Sequence, residues 1–137
     1  MPAIQISDDL RLIAEERAAE AQVLLGGGHD SGAYYLAGYA VECALKAILT
    51  RDLTAYGMPD AKAVRDAYVH DLQRLADDAG VGGALAGDPI VGPSWLIAKG
   101  WSETSRYRLI AHQDALDLVT SVADPNSGVL QWLKQYW

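Results

Sequence analysis

Apolar residues recur along this chain at intervals of three and four, and no stretch alternates with the period of two that a half-buried strand requires. Leu10, Ile13, Ala14, Ala18, Ala21, Leu24 and Leu25 make one apolar stripe. The stripe predicts a first helix that Ser7 or Asp8 can cap and that Gly26-Gly27-Gly28 stops, because consecutive glycines lose too much backbone entropy to stay helical. A second helix, capped by Asp30 or Ser31, is predicted to run to about Arg51. Its Ala33, Ala37, Ala40, Ala44 and Ala47 are spaced 4, 3, 4, 3 and form a seam without bulk, flanked by Leu36, Val41, Leu45 and Ile48. Two long amphipathic helices joined by a short glycine hinge predict an antiparallel hairpin. On another side of the second helix, Tyr35, Tyr39, Glu42 and Lys46 form a polar-aromatic stripe, with Glu42 and Lys46 placed for an i, i+4 ion pair.

The rest of the chain is less regular. Thr54 to Pro59 reads as a loop with a Gly-Met-Pro turn. Asp60 to Asp78 reads as a third helical region, breakable near His70, with Val69, Leu72, Leu75 and Ala76 as its apolar face. Gly80 to Pro93, with five glycines and two prolines, reads as a surface loop containing at most one helical turn near Gly83 to Ala86. Trp95 to Trp101 is ambiguous and fits a short helix. Ser102 is a good N-cap for a helix extending to about Ala123, whose core face is Leu109, Ile110, Leu116, Val119 and Val122. Pro125-Asn126-Ser127-Gly128 breaks it before a short last helix, Val129 to Tyr136. The expectation is a single all-α domain over residues 1–137: an up-and-down bundle of four main helices plus a short C-terminal one.

Composition and charge narrow the function. A chain of 137 residues, half of them apolar, has enough material for one core. A formal net charge of −7 argues against non-specific coating of nucleic acid, which depends on many cationic phosphate contacts, but leaves a local basic site open. Cys43 is the single cysteine, so no internal disulfide or cysteine-pair zinc site can form. His29, His70 and His112 are too scattered for a spaced metal motif, and no metal or cofactor is expected. The N-terminus lacks the pattern of a signal peptide, and no apolar run approaches about 18 residues. The expected setting is cytoplasmic, away from membranes.

The second helix reads Ala33-Tyr34-Tyr35-Leu36-Ala37-Gly38-Tyr39-Ala40-Val41-Glu42-Cys43-Ala44-Leu45-Lys46-Ala47. It resembles the signature helix of HEPN-domain proteins, in the subset with a GAYYLAGYAVECALKA core. His70-Asp71-Leu72 followed by Leu75, and Trp101 followed by Ser105-Arg106-Tyr107, resemble the same subset. The resemblance spans roughly residues 10 to 135. It implies a short up-and-down helical bundle that forms a homodimer, in a prokaryotic toxin–antitoxin or defence setting, often beside a nucleotidyltransferase antitoxin. Many members are metal-independent endoribonucleases that use an Arg, a polar residue and a His after a short gap. Arg106 and His112, with five residues between them, match that gap. Members that keep the Arg-Tyr pair, here Arg106-Tyr107, are implied to bind rather than cut.

The chemistry of such a site can be read from the residues themselves. Metal-free RNA cleavage uses the ribose 2′-hydroxyl as nucleophile, and it needs a base such as His112 and a guanidinium, from Arg106 or Arg108, for the charge on phosphorus. On a continuous helix Arg108 and His112 share a face. Arg106 and His112 lie about 120° apart on it, so their cooperation requires the helix to begin after Arg106, or help from a partner subunit. Lys99 adds a cation nearby. The plainer reading pairs Arg106 with Glu42 or Glu103 and leaves His112 an ordinary exposed residue. Tyr35, Tyr39, Glu42, Lys99 and Tyr107 are candidate ligand contacts. Glu42 is either an ion-pair partner of Lys46 or Arg106, or the polar wall of a cleft. His70 reads as a capping or loop-packing residue. The tryptophans read as core or dimer contacts. Two functions follow: a dimeric binding module for RNA, a nucleotide or a partner protein, and a ribonuclease toxin built on His112. A purely structural helical dimer is the third.

Overall fold

A computed structural model of the chain describes residues 3–55 and 69–137, and every regular element among them is helical. α1 spans Ala3–Gly26 and α2 spans Asp30–Ala55. Three short helices follow: α3 at Leu72–Asp78, α4 at Gly82–Gly87 and α5 at Gly92–Ala98. A 3₁₀ helix covers Glu103–Tyr107, α6 covers His112–Ala123, α7 covers Val129–Leu133, and a last 3₁₀ turn covers Lys134–Tyr136. The Gly-Met-Pro turn and the first part of the expected third helix, residues 56–68, lie outside the described residues. No helix among the described residues is long and apolar enough to cross a membrane.

The expected hairpin is present. Gly28 turns the chain at φ +83°, a left-handed conformation that costs glycine least, and His29 N–H donates to Leu24 C=O at 2.8 Å across the bend. Ala14, Ala18 and Ala21 of α1 are buried together with Ala33, Ala37, Ala40, Ala44 and Ala47 of α2. Small side chains on both faces let the two backbones approach closely. Ser7 is a buried interior residue of α1 rather than its cap, and its hydroxyl donates to Ala47 C=O at 2.8 Å. α2 is the central element: α1, α3, α6, α7 and the first 3₁₀ helix all pack against it.

Several boundaries differ from those expected. α1 begins at Ala3, and α2 runs past Arg51 to Ala55. Val69, His70 and Asp71 are not helical, and α3 starts at Leu72 behind an Asp71 cap that accepts from Arg74 N–H, with Leu72, Leu75 and Ala76 buried. The glycine-rich Gly80 to Pro93 region is not a surface loop. It holds α4 and the start of α5, and Val81, Leu85, Val91 and Trp95 drive it into the core. Burial of those side chains outweighs the helix cost of glycine, about 1 kcal/mol per residue. Asp88 makes the turn between α4 and α5, where its Oδ1 accepts from Ile90 N–H at 2.8 Å and Val91 N–H at 3.0 Å, and these bonds hold its carboxyl below the usual range.

The largest difference concerns the expected helix from Ser102 to Ala123. Ser102 does cap, with its hydroxyl accepting from Thr104 N–H, but only the 3₁₀ helix follows. Arg108 and Ala111 are extended, and α6 starts at His112. The break resets the helical phase. Leu109 is 98% exposed and Leu116 is exposed, whereas Leu118 joins Val119 and Val122 in the core. Among the described residues the bundle is built on α1, α2 and α6 with short helices around them, and the expected helix from Ser102 to Ala123 is divided into a 3₁₀ helix and α6.

Gly38 marks the tightest contact on α2. A Cβ at this position would lie 2.2 Å from the indole of Trp101, which is itself buried. Gly38→Ala should therefore lower the urea midpoint, by an overpacking cost of about 1–3 kcal/mol, although alanine is the better helix former. Gly83→Ala in α4, whose Cβ meets nothing within 4 Å, is the control and should leave the midpoint unchanged or raise it.

Candidate functional site

The segment from Arg106 to His112 runs as a strap across the N-terminal part of α2. Its backbone cannot satisfy itself where it is extended, so it borrows partners from the helix. Ile110 N–H donates to Ser31 Oγ at 2.9 Å, and His112 Nδ1 lies 2.7 Å from Asp30 Oδ1. Asp30 and Ser31, expected as caps of α2, face the strap with their side chains instead. At the other end, Arg106 lies near Tyr107 and Tyr35, whose hydroxyls raise its pKa further above the usual arginine value. Its guanidinium also sits 4.9 Å from the centroid of the Tyr107 ring.

Arg106 and His112 lie at the two ends of this strap. Tyr35 and Asp30 are five positions apart on α2, about 7.5 Å along the helix axis at 1.5 Å per residue. Five residues also rotate the helix by about 500°, so the two side chains project about 140° apart. α6 begins after Arg106, the geometry that the sequence required for the pair. Arg106 and His112 both face solvent; the His112 side chain is 61% exposed. A carboxylate only accepts, so His112 Nδ1–H is the donor to Asp30, and Nε2 is the ring nitrogen left for a ligand.

Other candidates fall elsewhere. Arg108 does not share a helix face with His112, because both precede the second residue of α6 and Arg108 is extended. It lines a shallow cleft of about 190 Å³ with Tyr34, Ile97, Ile110, Asp114 and Asp117. Lys99 ends α5, where a cation suits the helix dipole, and among the described residues no hydrogen bond or ion pair draws it to the strap. Tyr107 is 76% exposed at the end of the 3₁₀ helix.

The polar-aromatic stripe of α2 is real and mostly internal. Tyr35 and Tyr39 stack at 6.1 Å between centroids, and Tyr35 also meets Trp101 at 6.0 Å. Glu42 is buried and pairs with Lys46 at 3.0 Å, the expected i, i+4 partner, and not with Arg106. Its Oε2 also lies 3.0 Å from His70 Nδ1, while His70 Nε2 lies 3.2 Å from Glu103 Oε2. A carboxylate faces each ring nitrogen of His70. His70 thus ties the 3₁₀ helix to the middle of α2, a larger role than packing a loop. It also rims a cleft of about 220 Å³ with Asp71, Trp101, Ser102 and Glu103, and Glu42 sits behind it. Glu42 Oε1 is buried without a hydrogen-bond partner among the described residues. No group of three metal-ligating side chains occurs among the described residues.

Asp30, Ser31, His70 and Glu103 were not singled out as site-forming from the sequence. Asp30 and His112 are 82 positions apart, and His70 and Glu42 are 28 apart, so no local pattern reports either pair.

Cys43 lies next to this stripe, and burial pushes its thiol up from an ordinary value near 9 to about 11. Tyr39 is likewise raised, first by Cys43 and then by burial. Below pH 9 the thiol is neutral whether the chain is folded or not. As pH rises from there toward 11, only the unfolded chain ionises, so this contribution to stability is lost with rising pH. At pH 8, Ellman's reagent should label the unfolded chain within minutes and the native chain only at the rate of unfolding. Equal labelling rates would contradict the burial. No family model, no curated protein and no solved structure matches the chain.

Proposed function

We propose that the chain is a HEPN-type binding module that takes an RNA or nucleotide phosphate at the strap, with Arg106 and His112 as its contacts. The observation that carries this reading is that the strap lies on α2 with His112 held to Asp30 and Arg106 set over the Tyr107 ring, and that both side chains face solvent. A guanidinium forks onto two phosphate oxygens, and an imidazole Nε2 adds a third contact. The acidic chain suits a local phosphate site better than a long nucleic-acid track. The resemblance of α2 to the HEPN signature helix supplies the wider frame: an up-and-down bundle acting as a homodimer, in a prokaryotic toxin–antitoxin or defence setting, with a nucleotidyltransferase antitoxin as partner.

Cleavage is the second reading, and the bond from His112 to Asp30 favours it. With Nδ1–H donated to Asp30, a neutral His112 presents the Nε2 lone pair as a base. It would remove the proton of a ribose 2′-hydroxyl as that oxygen attacks phosphorus. The bond from phosphorus to the 5′ oxygen then breaks, the leaving oxygen takes a proton from solvent, and a 2′,3′-cyclic phosphate remains. Arg106 would hold the non-bridging oxygens as their charge grows.

Fluorescence anisotropy with a labelled 12-nucleotide single-stranded RNA tests the first reading. Arg106→Ala and His112→Ala should each weaken binding about tenfold, a loss of about 1.4 kcal/mol. Folded variants that bind as tightly as the wild type, or a wild type that does not bind, would sink it. Incubation of the same RNA in EDTA tests the second reading: cyclic-phosphate products that vanish in His112→Ala and fall in Asp30→Asn establish cleavage, and intact RNA rejects it.

A further inference from the structure

We propose that Tyr107 is a stacking platform for an unpaired nucleobase, so that the strap selects single-stranded over duplex RNA. The inference rests on the phosphate-binding reading above and adds to it the form of the nucleic acid. Among the described aromatic residues, Tyr107 is the one whose ring is largely exposed, at 76%. Trp95 and Trp101 are buried, Tyr35 and Tyr39 stack on each other, and Trp132 packs on Tyr136 at 4.9 Å. A large exposed aromatic ring is costly to leave in water, and here it sits beside the arginine proposed to hold phosphate.

The local geometry suits stacking. The Arg106 guanidinium lies over the Tyr107 ring, 4.9 Å from its centroid. With one face backed by this cation, the other is presented to solvent. Arg108, next in the chain, is extended and exposed, and Tyr107 stays 76% exposed beside it. A nucleotide whose phosphate meets Arg106 has its base within reach of the adjacent ring. Bases of a duplex are already stacked on their neighbours, and the A-form groove does not offer their faces to a side chain. Only an unpaired base can use Tyr107, and stacking of this kind tolerates any base, since each has a π-face.

The experiment compares binding of a 12-nucleotide single strand with the same sequence in a duplex, for the wild type, Tyr107→Ala, Tyr107→Phe and Arg106→Ala. The position is exposed, and circular dichroism checks each fold. The wild type should prefer the single strand. Tyr107→Ala should lose roughly five- to a hundredfold for it while keeping the wild-type salt dependence, and Tyr107→Phe should stay within about twofold. Arg106→Ala should flatten the salt dependence by about one phosphate contact. Wild-type affinity in Tyr107→Ala, or equal affinity for both RNA forms, overturns the stacking role; if Arg106→Ala still weakens binding, the phosphate reading survives. A wild type that binds neither form overturns both.

Discussion

Close approach of α1 and α2 along their alanine faces is the constraint on which the rest of the structure depends. Eight buried alanines, three on α1 and five on α2, line this contact. A larger side chain on either face would push the backbones apart, because a packed interior relaxes only partly around added volume. With α1 settled on its small-residue face, α2 is left rigid and central, and its other faces are free to receive the remaining elements. The Ser7 hydroxyl bonded to Ala47 C=O fixes the two helices against each other near the far end from the hinge.

α2 then acts as a ruler. From its N-terminus onward it presents Asp30 to His112, Ser31 to the backbone of Ile110, Tyr35 to Arg106, Gly38 to Trp101, and Glu42 to His70. Each partner comes from a non-helical stretch, from the 3₁₀ helix or, for His112, from the first residue of α6. A segment that forms few hydrogen bonds of its own is thus positioned by side chains spaced along one helix. The buried Glu42 illustrates the cost of this design: its carboxylate is tolerable because Lys46 and His70 both face it, and removing either would leave charge stranded in the core. A site built this way has a rigid floor and an exposed, extended rim, the combination expected where a ligand must be met by precisely held groups without much protein motion.

The strap also explains why function was harder to read than fold. The alanine seam, the glycine hinge and the Glu42–Lys46 pair are encoded by periodicity within about 25 residues of one chain segment, and periodicity survives into structure because helices are local objects. Serine at 102 was correctly legible as a cap. What followed it was not, since Leu109, Ile110, Leu116, Val119 and Val122 satisfy a helical spacing whether or not the helix is continuous. Gly80 to Pro93 failed in the opposite sense. Its glycines and prolines argue for a loop, and four buried apolar side chains, with α5 packed on α6, decide otherwise.

By itself the sequence determined that this chain is helical, and that its second helix carries a small-residue face and a polar-aromatic face. Those properties follow from side-chain size, charge and period, which act over a few residues. Only the tertiary structure decided that α6 starts at His112, that Asp30 orients this histidine, that His70 joins Glu42 to Glu103, and that Tyr107 is left facing water. Each of these depends on contacts between segments far apart in the chain. Such contacts form where burial and hydrogen bonding over the whole molecule outweigh local preference, and no local pattern records which distant side chain will be there.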